Sequence, residues 1–153
     1  MTALELFTAC LWSFGATACC ACYMNAKFRE ILVCGGLGAI SWGVYKFVFF
    51  KTGNAAAAYL AGAIAASALS ELCAVFLHNP ATVFLIPSLL PLVPGGGFFV
   101  LMRSALQKEL SLALSTAYDT FTAAMAIALG VAISSSASKI IHSFFRKSWR
   151  HSR

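Results

Sequence analysis

The sequence predicts an all-α integral membrane protein of about five transmembrane helices, the fourth broken by a proline- and glycine-rich segment. Three observations carry that prediction. The 153-residue chain is 60% hydrophobic and only 10% charged, whereas a soluble domain carries about 25% charged residues. Its apolar runs approach the roughly 20 residues needed to cross a bilayer core of about 30 Å. The connections between them are short: residues 25–30, 51–54, 78–80 and 103–109. None has room for an aqueous domain, so an enzyme with a soluble active-site domain is excluded.

The first span is about Leu4–Met24. No basic region precedes it and Glu5 lies within it, so it reads as a retained span rather than a cleaved signal. The second is about Ile31–Phe50, with Lys46 snorkelling near its end. The third is about Ala55–His78. Its Ala58, Gly62, Ala66 and Ser70 fall four apart and form a stripe along which another helix backbone can approach closely. His78, beside Asn79 and Pro80, reads as a loop residue.

The fourth segment is about Ala81–Met102. Pro87, Pro91 and Pro94 lack amide hydrogens and clash with the preceding turn, and Gly95, Gly96 and Gly97 follow directly. An unpaired backbone group in hydrocarbon costs several kcal/mol, so unwound chain survives at membrane depth only inside protein or against a watery cavity. A helix restarting near Gly97–Phe98 would aim free amides, its positive end, into such a cavity. Carbonyls released by the prolines would suit an ammonium group or cation. The segment then suits a zwitterionic amino acid or a small carboxylate. The plain alternative is a kinked helix with no ligand.

The last span is about Leu110–Ile133. It carries a second small-residue stripe through Ser115, Asp119, Thr122, Ala126, Gly130 and Ser134. Residues 1–138 form one transmembrane domain and residues 139–153 a basic tail containing Lys139, Arg146, Lys147, Arg150 and Arg153. Beside a hydrophobic helix such a tail points to an anionic leaflet rather than to nucleic acid, and it places the C-terminus in the cytoplasm. With five spans the cytoplasmic side holds seven Lys and Arg residues, Lys27 and Arg29 among them, against Lys51, Arg103 and Lys108 outside. If the fourth segment only re-enters, residues 25–30 lie outside instead.

Two carboxylates within spans, Glu71 and Asp119, are candidates for ion coupling or for pairing with a substrate amine, because ionisable groups at that depth are costly and default to function. The six cysteines lie in apolar segments. The C-x-x-C spacing of Cys19 and Cys22 has neither a second pair nor spaced histidines, so it reads as buried hydrophobe. No metal and no cofactor is implied. Paired aspartates, metal-spaced histidines and a G-x-S-x-G motif are missing, so an intramembrane enzyme is not expected.

Leu69-Ser70-Glu71-Leu72, NPATVFLIPSLLPLVPGGGFF at 79–99 and AAMAIALGVAISSS at 123–136 together resemble the small-subunit type of the threonine/serine exporter family. The resemblance spans about Asn25–Ser136. Its motif falls on Glu71, Pro80, Pro91, Pro94 and Gly95. It implies a chain similar to the second membrane half of fused members. A larger exporter subunit would supply the other membrane half and a cytoplasmic domain, and a homo-oligomer is the other way to complete a solute path. It further implies ion-driven export of threonine, serine or small organic acids such as succinate from the bacterial cytoplasm. Two positions depart from the family pattern. Val75 stands where an arginine often follows the glutamate by four residues, and Phe98 and Phe99 stand where a tyrosine is common. A membrane scaffold that only stabilises its partner is the competing reading.

Overall fold

The computed structural model describes the backbone of residues 3–150 and the side chains of residues 4–138. The basic side chains of the tail, from Lys139 onward, lie outside the described residues. Six α-helices follow in order: α1 (Ala3–Tyr23), α2 (Phe28–Thr52), α3 (Ala55–Leu77), α4 (Ala81–Leu89), α5 (Gly95–Leu106) and α6 (Leu110–Arg150). A 3-10 turn, Leu90–Leu92, extends α4. Four helices are long and apolar enough to cross a membrane, and α4 with α5 passes the same test as a pair bent by 51°. The fold is thus all-α, with four to five membrane-spanning elements by length and composition.

The turns are tight because the helix ends close on themselves. Asn25, His78 and Lys108 adopt left-handed backbone, with φ of 59°, 55° and 59°. In each turn the amide of the next residue reaches back five positions: Ala26 to the Ala21 carbonyl at 3.1 Å, Asn79 to Ala74 at 3.2 Å, and Glu109 to Ser104 at 3.0 Å. This pattern satisfies carbonyls that a helix end otherwise leaves open. Gly53, at φ 63°, ends α2, and the Asn54 side chain then accepts the Ala56 amide at 3.0 Å to start α3.

α1 packs on α2, α2 on α3, and α3 on α6, while α4 lies against α2 and α3 and α5 packs chiefly on α6. Small residues set these approaches. A methyl group at Gly35 would sit 2.6 Å from the Phe14 ring, and one at Gly130 would sit 2.8 Å from the Ala63 methyl. The α3 stripe is buried at Ala58, Gly62, Ala66 and Ser70, as its spacing predicts. Near the start of α6 the buried positions move off the stripe. Ser115 and Asp119 are exposed, and the buried positions there are Ala113, Thr120 and Ala123. Asp119 lies on nearly the same face as Ala126 and Gly130 at 3.6 residues per turn, so what differs is the cover: α3 packs over Gly130, whereas Asp119 borders the cavity at the break.

The direction of α6 decides whether the fourth segment crosses. Gly130 meets Leu60, Ala63 and Ile64. Earlier in α6, Thr116 and Asp119 share a cavity with Ala55 and Tyr59 of α3. Residue numbers rise together along the two helices, so α3 and α6 run parallel. A segment that entered and returned by the same face would leave them antiparallel. The broken segment therefore passes from one end of the bundle to the other. Its two pieces are each about 18 Å long at 1.5 Å per residue, and a bend of 51° still leaves a rise near the thickness of a bilayer core. The ends of α1 and α3 and the C-terminal end of α6 share one face of the bundle, and the loops at 53–54 and 107–109 share the other.

Candidate functional site

The break is built differently on its two sides. On the α4 side, Pro87 cannot donate to the Val83 carbonyl four residues back. The Cys34 thiol of α2 donates to that carbonyl instead, at 3.6 Å. The Pro87 carbonyl, left open by Pro91, accepts from the Leu90 amide. The Leu90 carbonyl, left open by Pro94, accepts from the Val93 amide at 3.2 Å. The Ser88 carbonyl takes the Ser41 hydroxyl at 3.0 Å, and the hydroxyls of Ser70 and Ser88 pair at 3.1 Å. Ser41, Ser70 and Ser88 are fully buried. The expectation that carbonyls freed by the prolines wait for an ammonium group is thus corrected, because neighbouring donors satisfy them.

On the α5 side the helix restarts at Gly95, two residues earlier than the sequence suggests, because Pro94 fits the position before a first turn. No side chain caps it. The Gly95 amide bonds the Val93 carbonyl at 2.7 Å, and the Phe98 amide bonds the Pro94 carbonyl at 3.2 Å. The first-turn amides of Gly96 and Gly97 are left without an acceptor among the described residues.

Those amides border a cavity of about 610 Å³. Pro91, Pro94 and Gly95–Gly97 form one wall, and Thr116, Asp119, Thr120 and Thr122 of α6 form the next. Trp42, Tyr45 and Phe49 of α2 with Tyr59 of α3 complete it. The aromatic rings stack in series, with Tyr45 lying 4.9 Å from Trp42 and 4.6 Å from Tyr59 between centroids. A methyl group added at Gly95 or Gly96 would meet nothing within 4 Å, whereas one at Gly97 would meet Thr120 Oγ1 at 2.5 Å. The first two glycines keep space open; the third lets α5 close on α6.

Asp119 brings the one carboxylate among the cavity-lining residues. Its backbone carbonyl accepts the Thr122 hydroxyl at 2.9 Å, and Thr120 bonds back to the Thr116 carbonyl at 2.7 Å. Both threonine oxygens keep acceptor capacity toward the cavity. Glu71 lies elsewhere. It is half-buried on α3, twelve residues beyond Tyr59 and so about 18 Å along the helix, and it does not line the cavity. Lys46 sits over the Trp42 ring at 5.5 Å, which holds its charge at the rim of the aromatic wall.

Sequence reasoning found the glycine wall and Asp119 but passed over Trp42, Tyr45 and Phe49. Their spacing of three and four residues places them on one face of α2, which was a readable signal. It also passed over Glu30, which is 7% exposed. The Glu30 carboxylate accepts the Lys27 amide at 3.0 Å and the Asn79 side-chain amide at 2.7 Å, tying the turn before α2 to the turn before α4.

Fold and cavity together define a multi-pass helical membrane protein with a pocket at an interrupted span, an arrangement that membrane transporters use. The family model described as "Threonine/Serine exporter, ThrE" matches residues 9–137, and the chain belongs to that family. No curated protein and no solved structure matches the chain.

Proposed function

We propose that the chain is the membrane subunit of a split, ion-coupled exporter of threonine, serine or related small organic acids. The observation that carries this reading is the meeting of unpaired Gly96 and Gly97 amides with the Asp119 carboxylate across one cavity. Amides at a helix start favour a carboxylate, and a carboxylate at membrane depth favours an ammonium group. An α-amino acid presents both. The threonine hydroxyls of α6 and the aromatic wall suit a short hydroxylated side chain.

In this reading Pro91, Pro94 and Gly95–Gly97 shape the substrate site. Asp119 faces the solute, and Glu71 serves ion coupling toward the other end of α3. The larger exporter subunit, with the other membrane half and a cytoplasmic domain, completes the path along the side where α5 stands on α6. The protein resides in the bacterial cytoplasmic membrane with its C-terminus cytoplasmic. The face shared by Lys27, Arg29 and the end of α6 is then the inner one. The direct test is efflux of labelled threonine, serine and succinate from cells with and without this chain and its partner. Faster efflux of at least one solute is expected when both are present, and equal efflux of all three would end the substrate assignment.

A further inference from the structure

A second cavity, of about 600 Å³, lies at the end of the bundle where α2 and α4 begin and α3 ends. It is lined by Lys27, Phe28, Arg29 and Glu30 on one side and by Phe76, Leu77 and Asn79 on the other. Both oxygens of Glu30 are occupied, one by the Lys27 amide and one by Asn79. The carboxylate serves the two turns and makes no ion pair with either cation among the described residues. Lys27 and Arg29 are exposed, and neither makes an ion pair among the described residues. The positive charge of this cavity resides on these two flexible side chains, not on the helix end, whose first turn Glu30 already caps.

The surroundings fix the depth. Tyr23 is 92% exposed, Phe28 76% and Phe76 80%. All three stand at the same end as the cavity, beside the turns, and the amphipathic ring of Tyr23 marks the headgroup level of a bilayer there. A pocket at that level with two unpaired cations above and two phenyl rings flanking it matches an amphiphile that carries a phosphate on a hydrocarbon body. We infer that this cavity binds the phosphate-bearing headgroup of an anionic phospholipid, with Lys27 and Arg29 on the phosphate and Phe28 and Phe76 along the first carbons of the chains. The assignment is independent of the transport reading, because it shares no residue with the Gly96–Asp119 cavity.

The test compares the full chain with Lys27→Gln/Arg29→Gln, both purified in zwitterionic detergent with the basic tail intact. Each is titrated with phosphatidylglycerol, with phosphatidylcholine and with inorganic phosphate, and bound lipid is counted by native mass spectrometry. Phosphatidylglycerol is expected to bind the wild-type chain in preference to phosphatidylcholine. The double variant should lose about 25-fold in that affinity, since each basic side chain near a headgroup contributes on the order of fivefold. Lys51→Gln/Arg103→Gln, on the opposite face, should leave it unchanged. Equal binding by wild type and variant overturns the site. An equal loss in the opposite-face variant reduces it to net charge and also overturns it. Displacement of the lipid by millimolar inorganic phosphate would assign the site to a free anion instead. Should the variant misfold, a photoreactive phosphatidylglycerol on the wild-type chain decides alone. Labelling within residues 24–30 or 76–79 supports the site, and labelling confined to other segments removes it.

Discussion

The two halves of the broken span contain the same kind of defect and treat it in opposite ways. Around Pro87 and Pro91, the carbonyls that prolines strand are taken up by the Cys34 thiol or a neighbouring amide, and the Ser88 carbonyl beside them by the Ser41 hydroxyl. On the α5 side the Gly95 amide is bonded to Val93, but the amides of Gly96 and Gly97 stay open beside a cavity of about 610 Å³. Proline alone does not make a binding site in a membrane, because surrounding hydroxyls and thiols can quench what it exposes. The site arises where the chain supplies glycine, which offers backbone donors and no side chain to cover them.

The largest effect should come from filling the open half. Gly96→Leu places a side chain into space that is empty within 4 Å, so the helices need not move while the cavity is blocked. Transport is expected to fall at least a hundredfold, with the purified chain keeping its helical circular dichroism and its association with the proposed larger subunit. Loss of the complex itself would favour the scaffold reading over a solute path.

Much of this architecture was legible in the sequence. The apolar runs gave the spans, and the three prolines with three glycines gave the position of the break. The direction of crossing was open, because charge counts alone left the re-entrant reading standing. What resolves it is which residues of α3 meet which residues of α6, a long-range pairing that no local pattern encodes. The same limit explains the carbonyls. That Pro87 strands the Val83 carbonyl is local knowledge, but that Cys34, 49 residues earlier, lies beneath it depends on the packing of α2 against α4. It also explains Glu71 and Asp119. Both read as costly intramembrane carboxylates, and only the parallel packing of α3 and α6 puts one on the cavity and the other about 18 Å along the axis.

An intermediate effect is expected at Asp119. Asp119→Asn keeps the shape and removes the charge, so it should weaken recognition of a substrate ammonium by the 1.5–3 kcal/mol or so of a charged hydrogen bond, roughly ten- to a hundredfold in efflux. A dicarboxylate has no ammonium, and its export should not suffer in the same way. Measuring threonine and succinate side by side sharpens the comparison of the walls. If both fall equally, Asp119 acts in ion coupling rather than in binding the amine. If neither falls, the carboxylate has no part in the site.

The smallest effect should appear on the quenched half, and it should be of another kind. The Ser41 hydroxyl has one proton and two acceptors, the Gly38 carbonyl at 2.9 Å and the Ser88 carbonyl at 3.0 Å. Ser41→Ala removes the link between α2 and the break and leaves the Ser88 carbonyl buried. An interhelical hydrogen bond in a membrane protein is worth about 0.6–1.7 kcal/mol, and an orphaned acceptor adds to that cost. A loss of about 1–2 kcal/mol in stability is therefore expected, read as a lower unfolding temperature in detergent, while efflux per folded molecule stays near the wild-type rate. Ser41→Cys should recover part of the loss, because a thiol is a weak donor. If Ser41→Ala instead lowered efflux as much as Asp119→Asn with stability unchanged, the α4 side would take part in transport. The contrast between a sealed half and an open half would then have to be abandoned.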